Sequence, residues 1–486
     1  MTTQVYQLTI NNDRTIISYI EAVDHNEYLR IYNLSNESTE SINVKEVLFL
    51  GWLSKTILLI QTKHELMTYD TNACHMTSNV FLKDKIRTVL TSSETYFDYV
   101  VQLTVDTIEV KRYYFLDGTT EEIMSVNTIS NAVYISDDKK FKSYYNKYEQ
   151  KIFATLDVGL DVISDKWKGN ELIVLNKELE CSIIVNGETC FSGSGYVDRA
   201  YIFDGYVLFS FTNFFNPRCL YKLILSDQRE CFVIKLSGEE ISRNCFYLKN
   251  VKKHILGDRQ VPAVIIEPRE FKLKTVLFLH GGPDTYIKNE YMDFIQPLIQ
   301  NGIRVILVDY SGSISYGIEF YQRLLKNNGE QALLDIESVL TEVKQEYSQI
   351  FITGESFGGY LAILSAIKFS HIIRKAIAIN GFTDYRYQYI FSVARQIITK
   401  YFDISISKNN PIDLLDKVST ISPIVFIHGM KDVYCPIKQV EVFVEKSKQL
   451  GYSGVGMIKI EGEGHYSMLP RVMEKFYSFL INEIIS

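Results

Sequence analysis

The segment Gln349–Tyr360, QIFITGESFGGY, has the residue types and the spacing of a nucleophilic serine held in a sharp turn. An apolar run leads into GESFG at residues 354–358, a G-x-S-x-G pattern, and a helical pattern follows. Glycines two positions before and after Ser356 let a strand and a helix approach closely. The helix N-terminus favours negative charge that develops next to the hydroxyl. The segment therefore predicts Ser356 as a nucleophile, although turns of glycine and serine also occur without one.

A nucleophilic serine needs a general base, and in a Ser–acid–His chain order the base comes last. Five of the eight histidines follow residue 246, and His465 lies latest, in the loop GEGHY before the last helical pattern. His371 lies in a polar turn, and His254 precedes the strands that would form the core. Standing alone, His465 would be interpreted as a surface loop histidine. Its place after Ser356 predicts it as the base.

The acid is expected after a strand that lies between Ser356 and His465. The segment PIVFIHGMKDVYCP supplies an apolar run, a turn and then Asp432, whose carboxylate would orient the ring of His465. Glu463 is the rival, but a side chain two residues from the histidine is badly placed to orient its ring. Four other acids precede this strand and are interpreted as turn or helix-end residues: Asp384, Asp403, Asp413 and Asp416.

Two backbone amides are predicted to stabilise the oxyanion. The first belongs to Phe357, the residue after the nucleophile. The second is expected from the loop HGGP at residues 280–283, which follows the apolar run TVLFL, and we assign it to Gly282. A plain Gly-Gly-Pro turn is the structural alternative. Because the three segments occur in the required order, each after an apolar run, the sequence predicts serine hydrolase chemistry.

Composition limits the other possibilities. The chain has 486 residues, of which 46% are hydrophobic and 22% charged, and its formal net charge is −7. These values are typical of folded domains and exclude disordered, collagen-like and coiled-coil chains. An acidic chain without a basic cluster is a poor nucleic-acid binder. Seven cysteines at irregular spacing, with no CxxC pair, indicate free thiols and no zinc site, so we expect no metal and no cofactor.

The two halves of the chain differ, which predicts two unlike domains. Only one of the nine prolines, Pro217, precedes residue 246. Residues 1–243 contain short runs that alternate apolar and polar residues, separated by turn clusters, as in half-buried strands. Strand pairs recur about every 40 residues, the blade length of a β-propeller, and a β-sandwich pair is the alternative. From these patterns alone both architectures stay open, and residues 1–10 could belong to either domain.

Residues 244–486 predict a different architecture, an α/β domain with a doubly wound, mostly parallel sheet. Continuous apolar runs alternate with longer helical patterns, as in a sheet that is covered on both faces. The predicted strands are Thr275–Leu279, Arg304–Asp309, Gln349–Thr353, Lys375–Ile379, Ile424–His428 and Met457–Glu461, and the helical patterns are Glu330–Tyr347, Gly358–Phe369, Ile437–Leu450 and Met468–Ile485.

The second half resembles the prolyl oligopeptidase family of serine peptidases, and within it the acylaminoacyl-peptidase-like branch. The matching segments are VPAVIIEP, VLFLHGGP, DYSGSISYG, ITGESFGGY, FIHGMKDVYCP and EGEGHY. The resemblance implies an α/β-hydrolase domain capped by an N-terminal β-propeller, for which five to seven blades fit the length. It also implies Ser356, Asp432 and His465 as the triad, with the amides of Gly282 and Phe357 at the oxyanion.

The chain departs from this family in three places. Ser311 stands where the family often has arginine in Tyr-Arg-Gly-Ser, which leaves the local ion pairing open. Cys435 stands where valine is usual before the proline of the acid loop. The Glu239-Glu240 pair lies at the domain join and is interpreted as a solvated turn, not as the paired glutamates of the dipeptidyl-peptidase branch.

The expected function is that of a serine peptidase that hydrolyses short or N-blocked peptides through an acyl-enzyme, with the propeller limiting substrate size. The alternatives are an esterase, amidase or transpeptidase that tailors a small molecule or modified peptide, and, more remotely, a non-catalytic binding scaffold. Tyr286 and Tyr316 are candidates for an apolar substrate pocket, although a packing role in the core is an equally good interpretation. The chain shows neither a signal-peptide pattern nor about 18 consecutive apolar residues, so we expect a cytoplasmic protein with no membrane partner. Homo-oligomerisation stays open.

Overall fold

The computed structural model describes residues 4–11, 13–23, 26–62, 64–79, 82, 86, 88–92, 96–104, 107–115, 118–127, 160–225, 232–237, 247–345, 349–465 and 470–485. The predicted domain join at 243–244 and the pair Glu239-Glu240 lie outside these residues, so both stay predictions. Within them, no helix is long and apolar enough to span a membrane.

The first half forms five four-stranded antiparallel sheets within the described residues, and in each sheet consecutive strands are neighbours. This succession of meanders is the construction of a β-propeller, whereas a sandwich would have two packed sheets. The strands are β1 (Gln4–Ile10), β2 (Ile16–Val23), β3 (Asn26–Asn33), β4 (Ser38–Val44), β5 (Val47–Trp52), β6 (Ile57–Thr62), β7 (Leu66–Asp70), β8 (His75–Asn79), β9 (Thr88–Ser92), β10 (Tyr96–Thr104), β11 (Thr107–Tyr114), β12 (Thr120–Asn127), β13 (Leu160–Trp167), β14 (Asn170–Lys177), β15 (Glu180–Val185), β16 (Glu188–Ser194), β17 (Tyr196–Phe203), β18 (Tyr206–Thr212), β19 (Cys219–Ile224) and β20 (Phe232–Ser237).

The first and last of these sheets contact each other. The Val5 amide in β1 donates to the Arg218 carbonyl, 2.7 Å away, immediately before β19. Val5 also packs in an apolar cluster with Leu208 of β18 and Leu220 of β19, and all three side chains are buried. The chain start therefore belongs to the first domain, which decides where residues 4–10 lie.

The second half forms one eight-stranded sheet in the order β21-β22-β24-β23-β25-β26-β27-β28. The pairs from β24 through β28 are parallel, and β22 runs antiparallel to both its neighbours. The strands are β21 (Leu248–Leu256), β22 (Val261–Pro268), β23 (Lys274–Leu279), β24 (Ile303–Val308), β25 (Gln349–Glu355), β26 (Ile373–Ile379), β27 (Ile424–Gly429) and β28 (Val455–Ile460).

Helices cover this sheet on both faces. The alternating residues of β23 demonstrate that both faces are covered. Leu277 and Leu279 pack in one buried cluster, whereas Val276 and Phe278 pack in another. The α-helices are α1 (Ile295–Gln300), α2 (Ile318–Gln322), α3 (Glu330–Val343), α4 (Phe357–Lys368), α5 (Tyr385–Phe391), α6 (Arg395–Tyr401), α7 (Pro411–Leu414), α8 (Lys438–Gln449) and α9 (Pro470–Ile485). All six predicted strands and four helical patterns have counterparts, with ends shifted by up to four residues; β21, β22 and the five shorter helices were not predicted.

A buried asparagine joins the two halves. The Oδ1 atom of Asn289, which follows β23 in the chain, accepts from the Phe214 amide at 3.0 Å, and its Nδ2 donates to the Leu179 carbonyl at 2.9 Å. Gln296 in α1 adds a 2.6 Å bond to the Phe215 carbonyl. Because Asn289 is 3% exposed, these bonds are shielded from water and fix the two halves against each other at this point.

Candidate active site

The predicted site residues follow neighbouring parallel strands at the end where their carboxyl termini meet. The register pairs Leu279 with Gly354 and Glu355 with Ile379, so β23, β25 and β26 end at one level of the sheet. The next pair, β27 and β28, ends with Gly429 opposite Ile460. Open α/β sheets bind ligands at this edge, and the loops that follow the strands therefore converge there.

Ser356 occupies the sharp turn between β25 and α4. Its backbone has φ 52° and ψ −112°, outside the regions that L-residues ordinarily adopt, as expected of a strained nucleophile turn. Its amide donates to the Ile379 carbonyl at 2.9 Å, which holds the turn against β26. A Cβ atom on Gly358 would lie 2.0 Å from the Leu279 carbonyl oxygen, so only glycine lets the helix start so close to β23.

The structure brings Ser356, His465 and Asp432 together. His465 Nε2 lies 2.9 Å from Ser356 Oγ, and His465 Nδ1 lies 2.6 Å from Asp432 Oδ2. The Asp432 side chain is 0% exposed and that of His465 is 3% exposed. With an ionised carboxylate, Nδ1 donates to Asp432 and Nε2 is left to accept the serine proton, which is the geometry of a Ser-His-Asp triad.

The Asp432 carboxylate is oriented by its own loop. Its Oδ1 accepts from the amides of Tyr434 at 2.9 Å and Cys435 at 2.7 Å, which leaves Oδ2 for His465. The rival acid, Glu463, faces another way, because its carboxylate lies 3.9 Å from Lys475 Nζ. The geometry thus favours Asp432 as the predicted partner of the ring.

Asn380, which the sequence analysis did not single out, joins the loop that carries Asp432 to the loop that carries His465. Its Oδ1 accepts from the Gly429 amide at 2.9 Å, and its Nδ2 donates to the His465 carbonyl at 2.9 Å. It follows β26 with a positive φ of 46°, a conformation that asparagine tolerates better than most residues. The Asn-Gly pair that follows an apolar run is the sequence signal that could have indicated this residue.

Tyr434 is a second contact that sequence reasoning missed. Its ring stacks on the imidazole of His465, with centroids 5.4 Å apart and planes inclined by 28°. Tyr434 is 38% exposed, so part of the residue that contacts the histidine remains open to solvent. It therefore restricts the tilt of the ring that carries the proton.

The two predicted oxyanion residues lie around the serine. Phe357 is the first residue of α4, so its amide is among the N-terminal donors that lack a partner within the helix. Gly281 and Gly282 follow β23, and a Cβ atom on Gly281 would lie 3.6 Å from Ser356 Cβ. The glycine loop therefore crosses directly over the nucleophile turn. The donation by Phe357 and Gly282 stays a prediction.

A buried polar group centred on Asp309 underlies this glycine loop. Asp309 accepts from the Ile287 amide at 2.8 Å and from the Tyr316 hydroxyl at 2.5 Å. His280 Nε2 lies 2.7 Å from Ser313 Oγ and 3.5 Å from Asp309. Burial raises the pKa of Asp309 to about 7 and lowers the pKa of His280 to about 4.

The two tyrosines predicted for a substrate pocket lie beside this group. The Tyr316 hydroxyl donates a hydrogen bond to Asp309, and Lys253 Nζ lies 4.9 Å from the centroid of the Tyr316 ring. Tyr286 is 7% exposed and directly precedes Ile287. These contacts give both rings a packing role, and a substrate contact by either stays a prediction.

An arginine distant in sequence makes an ion pair next to Ser311. Buried Asp335 in α3 accepts from Arg259 Nε at 2.6 Å and from the Ser311 amide at 2.7 Å. Arg259 comes from the turn between β21 and β22. A side chain distant in sequence thus neutralises Asp335, which a local motif could not show.

The raised pKa of Asp309 predicts a pH-dependent loss of stability that Asp309→Asn removes. The folded protein keeps this proton up to about pH 7, whereas the unfolded chain loses it near the ordinary value of 3.8. Folding therefore binds a proton between these values, and the free energy of unfolding falls as the pH rises through the window. Urea unfolding should show that, between pH 5 and pH 8, the free energy of unfolding of the wild type falls by roughly 3 kcal/mol more than that of Asp309→Asn.

The control is Asp416→Asn, which removes a carboxylate that is 55% exposed and paired with Lys446. Its pH profile is expected to run parallel to that of the wild type. Burial lowers the pKa of His280 to about 4, below the window from pH 5 to pH 8, so its titration contributes nearly equally to all three proteins. Equal losses in wild type and Asp309→Asn would contradict the prediction.

Comparisons with known proteins agree with this architecture. Residues 290–483 match the model of the prolyl oligopeptidase family. Acylamino-acid-releasing enzyme 1 of Oryza sativa subsp. japonica is 25% identical in an alignment over 205 residues that covers 36% of this chain and 25% of that protein. The uncharacterized peptidase YuxL of Bacillus subtilis is 25% identical in an alignment over 191 residues that covers 36% of this chain and 28% of that protein. The matched part thus spans about a quarter of these relatives.

Solved structures match nearly the whole chain. An acylaminoacyl peptidase of Pyrococcus horikoshii has a TM-score of 0.69 at 16% identity and covers 99% of this chain and 95% of its own. An acylaminoacyl peptidase in complex with Z-Gly-Gly-Phe-chloromethyl ketone has a TM-score of 0.66 at 16% identity, covering 99% and 91%. A puromycin-hydrolyzing peptidase of Mycobacterium tuberculosis reaches 0.66 at 12% identity, covering 100% and 95%. The predicted fold, an α/β-hydrolase domain with an N-terminal β-propeller, is confirmed.

Proposed function

We propose that this chain, whose resemblance to the prolyl oligopeptidase family is confirmed by the match over residues 290–483, is a serine peptidase that releases residues from short or N-blocked peptides. One observation carries the proposal, the hydrogen-bonded triad at the carboxyl edge of the sheet. His465 lies 2.9 Å from Ser356 Oγ and 2.6 Å from the Asp432 carboxylate. A triad of this geometry activates serine toward carbonyl carbon.

In the first step, Ser356 Oγ forms a bond to the carbonyl carbon of the scissile amide. His465 Nε2 takes the hydroxyl proton, and the Asp432 carboxylate stabilises the resulting imidazolium through Nδ1–H. The carbonyl electron pair moves to oxygen, where the amides of Phe357 and Gly282 would hold it. Each such donor is worth about 3–4 kcal/mol of transition-state stabilisation in comparable sites.

In the second step, the tetrahedral adduct collapses and the carbon–nitrogen bond breaks. His465 gives its proton to the leaving amine, and an acyl-enzyme remains on Ser356. Water then attacks the ester with His465 as the base, and the acid product leaves with the serine restored. No redox change occurs, and each proton taken by His465 is returned within the cycle.

Two features support short and blocked substrates. A relative named for acylamino-acid release matches part of this chain, solved acylaminoacyl peptidases share its fold, and one of these was solved with a blocked tripeptide chloromethyl ketone. The propeller is hydrogen-bonded to the catalytic domain at Asn289, close in sequence to the predicted oxyanion loop. A propeller held against the catalytic half would limit the length of peptides that enter.

The second candidate is an amidase or esterase that acts on small molecules. The same triad would serve, and the neighbour that hydrolyses puromycin supports this alternative. The two candidates differ in what flanks the scissile bond, not in the chemistry at Ser356.

Turnover of a matched substrate set tests the proposal. We expect N-acetylated aminoacyl p-nitroanilides to be cleaved with a kcat/KM about tenfold or more above that of the same compounds with a free amino group, because the acetyl group removes a charge that entry into the site would desolvate. Acetylated peptides of increasing length should lose kcat/KM as they outgrow the entrance. Cleavage of p-nitrophenyl esters alone, with no amide turned over, would favour the second candidate.

A further inference from the structure

A thiol lies among the triad atoms. Cys435, Asp432 and His465 each offer a metal-ligating atom, and these atoms all lie within 4.8 Å of one another. Cys435 is 3% exposed, so its thiol is buried beside the catalytic residues. The sequence showed no zinc spacing because the cysteine and the histidine come from separate loops. The catalytic chemistry proposed above does not use the thiol.

The donor set suits a thiophilic divalent cation. Zn²⁺ takes sulfur at about 2.3 Å and nitrogen or oxygen at about 2.0–2.2 Å in tetrahedral sites, so its donors stand about 3.4–3.6 Å apart. The three donor atoms lie within 4.8 Å of one another and the Asp432–His465 pair is 2.6 Å apart, so shifts of about 1 Å bring them to this spacing. Ser356 Oγ lies at the opposite end of the His465 ring, beside Nε2, so a water molecule would complete the tetrahedron. A thiolate and a carboxylate together cancel the ion's two charges, which a buried site requires.

Hydrogen bonds already hold the loop that carries Asp432 and Cys435. The Cys435 amide donates to Asp432 Oδ1 at 2.7 Å, and Gln388 Nε2 lies 3.4 Å from Cys435 Sγ. His428 Nε2 lies 2.7 Å from the Cys435 carbonyl, where it donates from beneath the loop. Such outer contacts orient ligands in metal sites.

We propose that Zn²⁺, or a cation of the same thiophilic class, binds Cys435, His465 and Asp432 and switches the triad off. Binding forms a metal–sulfur bond and releases the thiol proton to solvent, with no change in oxidation state. The ion also occupies His465 Nδ1, which faces Asp432, so the neutral imidazole carries its one proton on Nε2 and cannot accept the Ser356 proton. The ion is an inhibitor at this site and not a catalytic cofactor. The inhibitory half of the proposal rests on the proposed function, whereas the binding half does not.

Binding is tested with Co²⁺ alone as the probe on the untagged full chain. The absorption band of a thiolate–cobalt bond should appear and saturate in the wild type and should be absent in Cys435→Val, whose side chain is similar in size. Cys74→Ser, which removes an exposed thiol, is the matched control and should keep the band. Circular dichroism establishes that each variant is folded, and Cys435→Ser provides a second substitution. No band in the wild type, or an undiminished band in both Cys435 variants, would overturn the proposal.

Inhibition is tested with Zn²⁺ and a fluorophosphonate probe. The labelling rate of each variant is expressed relative to its own rate in EDTA. The concentration of Zn²⁺ that halves labelling should rise about tenfold or more in Cys435→Val but not in Cys74→Ser, and EDTA should reverse the inhibition. Equal inhibition of all three proteins would overturn the proposal. If no labelling occurs in EDTA, the proposed function fails, and the cobalt band still decides the binding.

Discussion

Ser356→Ala is expected to lower kcat/KM roughly 10⁴- to 10⁶-fold and to abolish fluorophosphonate labelling. The alanine removes the atom that bonds to the carbonyl carbon and leaves His465 Nε2 without the hydroxyl that lies 2.9 Å away. Oxyanion donors and binding contacts alone would leave a small residual rate over water. Initial rates with an acetylated aminoacyl p-nitroanilide, together with gel detection of probe labelling, measure both effects.

Ser365→Ala is the matched control for this prediction. Ser365 lies on the same helix, α4, is 0% exposed and donates its hydroxyl to the Leu361 carbonyl at 2.7 Å. The substitution removes a buried serine hydroxyl without touching the triad, so activity and labelling should stay close to wild type. Retained turnover in Ser356→Ala would end the assignment of the nucleophile, whereas equal loss in both variants would indicate damage to the helix.

The parts of the site that were predictable from sequence are those whose chemistry is local. The turn at Ser356 needs a strand, two glycines and a helix within twelve residues, and β25 and α4 supply them where the pattern predicted. Chain order and the preceding strands then indicated Asp432 and His465. Strand periodicity predicted the two unlike halves, because apolar runs and alternating runs report different sheet environments.

The parts that were not predictable depend on contacts between distant segments. Asn380 contacts both catalytic loops only because β26 and β27 are neighbours in the sheet. Arg259 reaches Asp335 across 76 positions of the chain. The propeller needed the family resemblance, because alternating short strands fit a sandwich equally well until the order of the strands in each sheet is known.

Asp432→Asn is expected to lower kcat about 10⁴-fold with little change in KM. The carboxylate accepts the Nδ1 proton at 2.6 Å, which fixes the tautomer that leaves Nε2 free to accept. An asparagine that keeps its Oδ1 bonds to the Tyr434 and Cys435 amides must point its NH₂ group at the ring. The imidazole would then carry its proton on Nε2, facing Ser356, and would act as a base only after an unfavourable exchange. Steady-state kinetics between pH 6 and pH 10 measure the loss.

Glu463→Gln distinguishes this mechanism from the rival acid. Glu463 is two residues from His465 and 8% exposed, so the substitution is matched in burial and in the charge removed. Because its carboxylate faces Lys475 at 3.9 Å, we expect an effect below about tenfold on kcat. If Glu463→Gln lost as much activity as Asp432→Asn, the acid would be shared or misassigned. If only Asp432→Asn loses activity and its fluorophosphonate labelling slows in proportion, orientation of His465 by Asp432 is the step that the mutation removes.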